Sequence, residues 1–142
     1  MKAVLDVNVV IAAVIAPKGP TRHVLTCWEA RRFSLLVSEG IIAEVEEKLR
    51  SPKIGGAYGI TEGDIAEVRT LLVTEAEIVV VKPEDVIPVT GDPEDDYVLA
   101  TARLGGADYL VTGDKRLLAL GSYEGTNLVT PRQFLDILGQ NP

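Results

Sequence analysis

The chain has 142 residues, 46% of them hydrophobic and 25% charged, enough to bury one sizeable core and too few for two comfortable domains. Its formal net charge of −7 excludes a protein that coats nucleic acid by bulk electrostatics, which needs Lys and Arg to neutralise phosphates, but leaves room for an enzyme that grips phosphate locally through a metal. A single cysteine, Cys27, excludes an internal disulfide and a thiolate metal cluster within one chain.

The first element, "KAVLDVNVVI", is too continuously apolar to alternate and predicts a strand buried on both faces that ends near Asp6. Asp6 and Asn8 interrupt what a secretory signal would keep apolar, and no run reaches the length of a membrane helix; the expectation is a cytoplasmic protein formed by one domain over residues 1–142. A turn at "PKGP" precedes a helical stretch from Thr21 with Val24, Leu25, Trp28 and Phe33 on its apolar side. "SLLV" is a short strand. Ser38 then opens a helix through about Arg50, with Ile41, Ile42, Val45 and Leu49 at helical spacing. "SPKIGGAYG" reads as a loop, "TEGDIAEVRTLLV" as a helix capped by Thr61, and "AEIVVV" as a strand. After the irregular "KPEDVIPVTGDP" come a helix following Asp92, a strand "ADYLVT", a short helix from Lys115, a strand "TNLVT" and a last helix with Pro131 at its first position. Strands separated by helices predict a parallel sheet with right-handed crossovers and helices on both faces.

In such sheets ligands gather at the carboxyl ends of the strands, where strand order reverses. Asp6 and Asp114 both fall there. Each also suits a turn or helix cap. Between them, "GDPEDDYVLATA" crowds Asp92, Glu94, Asp95 and Asp96 into five positions, although neighbouring charges repel by about 1 kcal/mol in water and about 4 at a surface-like dielectric. Asp92 as cap, Pro93 at the first helical position and acids in the first turn account for three of them. They do not account for Asp96, nor for the small, apolar "YVLATA", which suggests a helix pressed against the sheet. Glu44 flanks the apolar stripe of its own helix, with Lys48 one turn on as an ordinary i, i+4 partner; by periodicity Glu46 and Glu47 serve nearly as well.

"VLDVNVVIAAV", "FSLLVSEGIIAEVEEKLRSPKI", "GDPEDDYVLATARLGGADYLVTGDKRLL" and "VTPRQFLDIL", in this order and spacing, resemble the PIN-domain ribonucleases, particularly the VapC-like toxins of toxin–antitoxin systems. The likeness runs over nearly the whole chain. It implies a three-layer α/β/α fold with a central parallel sheet of about five strands, and an acidic pocket for Mg2+ or Mn2+. Carried over by position, the family's acids fall on Asp6, Glu44, Asp95 and Asp114, with Asn8, Asp96 and Thr112 in support. Val7 stands where Thr or Ser is frequent in the family, and Asp96 where Asn is common, so Asp96 stays a rival to Asp95.

Four carboxylates suit a hard cation that takes oxygen ligands. The expected activity is metal-dependent hydrolysis of RNA phosphodiester bonds, with Asp6, Asp95 and Asp114 nearest the metal and Glu44 a ligand or a base acting through water. By resemblance the products carry 5′-phosphate and 3′-hydroxyl ends, and the partners are RNA, a cognate antitoxin and further copies in a homodimer or higher oligomer. His23, the lone histidine, leaves triads and zinc sites little to build on. The competing readings are a non-catalytic PIN-like RNA-binding or scaffold protein and, less well matched, a metal-dependent phosphatase, whose second downstream aspartate "GDKRLLAL" lacks.

Overall fold

Largely apolar runs of three or four residues make the central strands, and helices alternate with them along the chain. The computed structural model describes residues 1–139. In chain order the elements are β1 (Lys2–Leu5), α1 (Val7–Ile15), α2 (Pro20–Glu29), β2 (Ser34–Val37), α3 (Glu39–Arg50), α4 (Glu62–Glu75), β3 (Glu77–Ile78), α5 (Pro93–Gly105), β4 (Tyr109–Val111), α6 (Lys115–Leu118), β5 (Ser122–Tyr123), β6 (Thr126–Val129) and α7 (Pro131–Ile137). They build a mixed α/β fold around a six-stranded sheet of order β3-β2-β1-β4-β6-β5. Every pairing is parallel except β5 with β6. Val4 lies opposite Leu36 on one side and Leu110 on the other, and Leu110 lies opposite Leu128. Ala3, Val4, Leu35, Leu36, Leu110 and Val111 are all at most 2% exposed, as expected of parallel strands covered on both faces.

Strand order runs one way from β1 to β3 and the other way from β3 through β4 to β6. Right-handed crossovers therefore put α5 on the face opposite the helices that connect β1, β2 and β3. α5 lies against β1, β2 and β4, and its "VLATA" segment is wholly buried. Near its end a Cβ on Gly105 would meet the Leu36 side chain at 2.7 Å and Val79 at 2.9 Å. Only a residue without a side chain permits so close an approach.

Four expectations need correction. The first strand ends at Leu5, close to Asp6 as read, but the rest of the apolar run, quoted with that strand, is helix α1. The Asp6 carbonyl accepts from the Val9 and Val10 amides at 2.9 and 3.2 Å, closing the first turn, and Val7, Val9, Val10, Ile11 and Ala13 are all buried. A helix apolar on nearly every side hides its period in the sequence, and the weak helix propensity of valine yields to tertiary packing. Ser38 stands at the start of α3 but caps nothing; its hydroxyl is paired with Thr101 at 2.9 Å, joining α3 to α5 in the core. β3 is shorter than "AEIVVV" because the ladder ends where the Val79 amide donates to the Val37 carbonyl, leaving Val80 74% exposed. The sheet gains a sixth, antiparallel edge strand, β5, through a two-residue hairpin at Glu124 and Gly125 with φ of 49° and 85°. A two-residue hairpin of the primed type needs positive φ at both positions. The loop after α3 also winds into one π-helical turn at Pro52–Gly56, whereas Thr61 caps α4 as read, in a reciprocal box with Asp64.

Candidate functional site

β1 and β4 are neighbours in the sheet, and their chain continuations diverge to opposite sides. Asp6 follows β1 directly, and its amide donates to the Val111 carbonyl at 2.9 Å. Its side chain makes no cap bond to α1. It turns instead to Thr112, whose fully buried hydroxyl donates to Asp6 Oδ2 at 2.7 Å and accepts the Asp114 amide at 3.0 Å. One hydroxyl thus fixes the two acids that leave adjacent strands. Burial pushes the Asp6 carboxyl above its ordinary pKa, the Thr112 hydroxyl and Val7 amide pull it back, and the charge of Asp114 raises it further. Asp114 also caps the short α6, accepting the Arg116 amide at 2.8 Å.

The acidic run at the start of α5 divides by function. Asp92 Oδ1 accepts the Glu94 amide at 2.9 Å and caps the helix. Asp96 turns away from the cavity: its Oδ1 accepts the Val89 amide at 3.1 Å and both the amide and hydroxyl of Thr90 at 2.9 Å. Burial opposes the Asp96 charge, but these bonds outweigh it and hold the carboxyl below its ordinary pKa. Asp95 is the opposite case. Its Oδ2 is buried with no hydrogen-bond partner, and its carboxyl is pushed up to about 6 by burial, then by the charges of Asp92, Asp114 and Asp6, against the pull of Arg116.

Glu44 reaches the same cavity from α3. The approach of α3 to α5 depends on Gly40, whose amide donates to the Tyr97 hydroxyl at 3.2 Å and where a Cβ would stand 2.5 Å from the Tyr97 ring. One helical turn on, Glu44 meets Glu94. Burial, the hydrogen bond with Glu94 and its charge raise the Glu44 carboxyl to about 7, against the pull of Lys48. Glu46 points elsewhere and pairs with Arg69 and Arg50. Lys48 donates to Asn8 Oδ1 at 3.2 Å, bringing Asn8 to the cavity rim.

Asp6, Glu44, Asp95 and Asp114 therefore line one cavity of about 240 Å³, together with Asp92, Glu94, Lys48 and Arg116. Asp96 is not part of that lining. Sequence reasoning missed Glu94, assigned only to the helix dipole, because nothing in the pattern shows that α3 comes close enough to pair it with Glu44. Six carboxylates against Lys48 and Arg116 leave excess negative charge, and the Asp95 oxygen that lacks a hydrogen-bond donor has only the Arg116 guanidinium near it, at 3.7 Å. Among the described residues no three acidic, His or Cys side chains are already drawn together around an ion position, yet the donors are all-oxygen and suit Mg2+ or Mn2+. A larger hollow of about 610 Å³ beside Trp28, Phe33 and Leu71 gathers Glu29, Glu75 and Glu77 with Arg31, half as many carboxylates in a larger space.

Fold and site together define a doubly wound α/β protein with a carboxylate-rich crevice at its switch point. The sequence model of the PIN domain matches residues 2–116, a span that holds every acid of the cavity, and the chain belongs to this family. An uncharacterized protein of Methanocaldococcus jannaschii, MJ1680, is 28% identical over 144 aligned positions, covering 96% of this chain and 90% of that protein. Among solved structures, VapBC2 from Rickettsia felis bound to a DNA fragment from its promoter is similar with a TM-score of 0.61 and 14% identity, over 90% of this chain and 97% of that one. FitAcB from Neisseria gonorrhoeae is similar with a TM-score of 0.52 and 15% identity, over 91% and 97%. Among the described residues no helix is long and apolar enough to cross a membrane.

Proposed function

We propose that the protein is a Mg2+- or Mn2+-dependent endoribonuclease of the PIN family, acting as one domain in the cytoplasm. The observation that carries this reading is the buried, unpartnered Oδ2 of Asp95 in a cavity ringed by Asp6, Glu44 and Asp114. Asp6, Asp95 and Asp114 would hold the ion, with Asn8 and Thr112 in support. The bound ion would supply a more acidic water and charge stabilisation for the leaving oxygen of a phosphodiester. Thr112 keeps the Asp6 and Asp114 segments in register. Glu44, held above the ordinary carboxylate range by burial and by Glu94, would serve as a further ligand or as a base acting through water. The likeness to VapBC2 supports the role of a toxin held by an antitoxin protein and assembling as a homodimer or higher oligomer.

Cleavage of single-stranded RNA with Mn2+, with and without EDTA, tests the reading in the parent and Asp6→Asn. The expected result is cleavage that disappears on chelation and falls at least about 100-fold in the variant, beyond the roughly 10- to 100-fold that loss of an outer-shell partner costs. Cleavage that survives both changes overturns it. A second reading, a non-catalytic PIN-like RNA-binding or scaffold protein, uses the same fold; it predicts RNA binding without Mn2+ heat in a calorimeter.

A further inference from the structure

Arg116 stands in the first turn of α6, two residues beyond Asp114, with its side chain 68% exposed. Its guanidinium faces three carboxylates at once. Nη2 is 3.7 Å from Asp95 Oδ2 and 3.8 Å from Asp92 Oδ2, and Nε is 3.9 Å from Asp114 Oδ1. All three distances lie beyond hydrogen-bond range. Arg69, by contrast, hydrogen-bonds Glu39 at 2.7 Å and also Glu46. A guanidinium committed to structure docks on its carboxylate in that bonded way. Arg116 is held by charge alone, at the mouth of a cavity whose excess is negative, and exposed pairs of that kind are weak and easily exchanged.

We propose that Arg116 is an exchangeable counter-cation: it balances Asp92, Asp95 and Asp114 until a divalent ion takes over those carboxylates, and then binds a phosphate of the RNA backbone at the cavity mouth. This rests on the reading of the cavity as a cation-dependent ribonuclease site. The side chain is long enough to turn outward without moving α6, whose start is fixed by the bond from the Arg116 amide to Asp114. Once the acids are neutralised from within, the guanidinium loses its partners, and phosphate is the anion whose geometry it matches best. Cation binding and substrate binding are thereby linked through one residue of this chain.

Arg116→Gln removes the charge and keeps the bulk; Arg116→Lys keeps the charge. Calorimetry with MnCl2 alone on the full chain should show Mn2+ bound about threefold or more tighter by Arg116→Gln than by the parent, the scale of one exposed charge contact, and nearly unchanged by Arg116→Lys. Steady-state cleavage of a fluorogenic single-stranded oligoribonucleotide should show KM raised about threefold or more in Arg116→Gln with kcat within about twofold. Equal Mn2+ affinity in parent and Arg116→Gln overturns the counter-cation role alone, and an unchanged KM overturns the phosphate role alone. No Mn2+ heat from the parent overturns the ribonuclease reading, and this inference with it.

Discussion

α4 and α5 both open with acids in their first turn, Glu62 and Asp64 in one and Glu94, Asp95 and Asp96 in the other, yet only α5 leaves a carboxylate oxygen without a donor. In α4 the account closes locally: the Thr61 amide donates to Asp64 at 2.9 Å, the Asp64 amide returns a bond to Thr61 at 3.0 Å, and Glu62 receives Arg50. In α5 the Asp92 and Asp96 carboxylates find amides and a hydroxyl, while Asp95 finds none and Glu94 faces another acid. Charge density does not separate an acidic helix start whose carboxylates are satisfied locally from one that leaves a buried oxygen over. The supply of donors does, because a buried carboxylate without one requires a cation or a proton.

The largest test of this comparison exchanges one acid from each helix. Asp95→Asn should lower Mn2+-supported RNA cleavage by at least about 100-fold, whereas Asp64→Asn should leave it within about twofold, as measured on folded protein. Asp96→Ala should act on stability: three donors lose their acceptor, and urea unfolding should report a loss of about 2 kcal/mol. If Asp96→Ala abolishes cleavage in protein that is still folded while Asp95→Asn does not, the two aspartates have been assigned the wrong way round. A smaller effect is expected in the other helix. Thr61→Ala breaks one half of the α4 capping box and should remove about 1 kcal/mol with Mn2+ affinity unchanged.

Parts of this comparison were legible in the sequence. β1, β2, β4 and β6 stand out as short runs rich in Val and Leu, and Asp6 and Asp114 follow two of them, so the rule for open α/β sheets brings both to the same edge. The Thr61 cap was equally readable, since its partner lies three residues away. α1 was not, because a helix buried on nearly every side loses its period. Asp95 and Asp96 sit about 100° apart on one helix, and choosing between them requires the position of the 89–90 loop that binds Asp96, which no local pattern encodes. Glu94 needed more still. Its meeting with Glu44 depends on the close packing of Gly40 against Tyr97, a contact between residues 57 apart, and the adjoining bond of Ser38 to Thr101 looked in sequence like an N-cap.

The smallest expected effect gives the sharpest form of the contrast, because its sign should reverse with conditions. The Asp95 carboxyl stands at about 6 in the folded protein against 3.8 for the ordinary group. Below about pH 3 it is largely protonated in folded and unfolded chains alike, and the site imposes almost no penalty. As pH rises toward 6 the unfolded chain ionises first, so the folded state loses stability through this window and carries the full penalty above it. Asn is neutral throughout. In EDTA, Asp95→Asn should therefore melt with the parent at pH 3 and above it at pH 7, by no more than about 4 °C for a gain near 1 kcal/mol, since solvent at the cavity mouth screens the repulsion. Excess Mn2+ should invert the order at pH 7: the parent gains stability from an ion that binds only the folded chain, and the variant, one ligand short, gains less. A variant that melts below the parent in EDTA at pH 7 would mean that Asp95 is satisfied by the protein itself, and α5 would then be no different from α4.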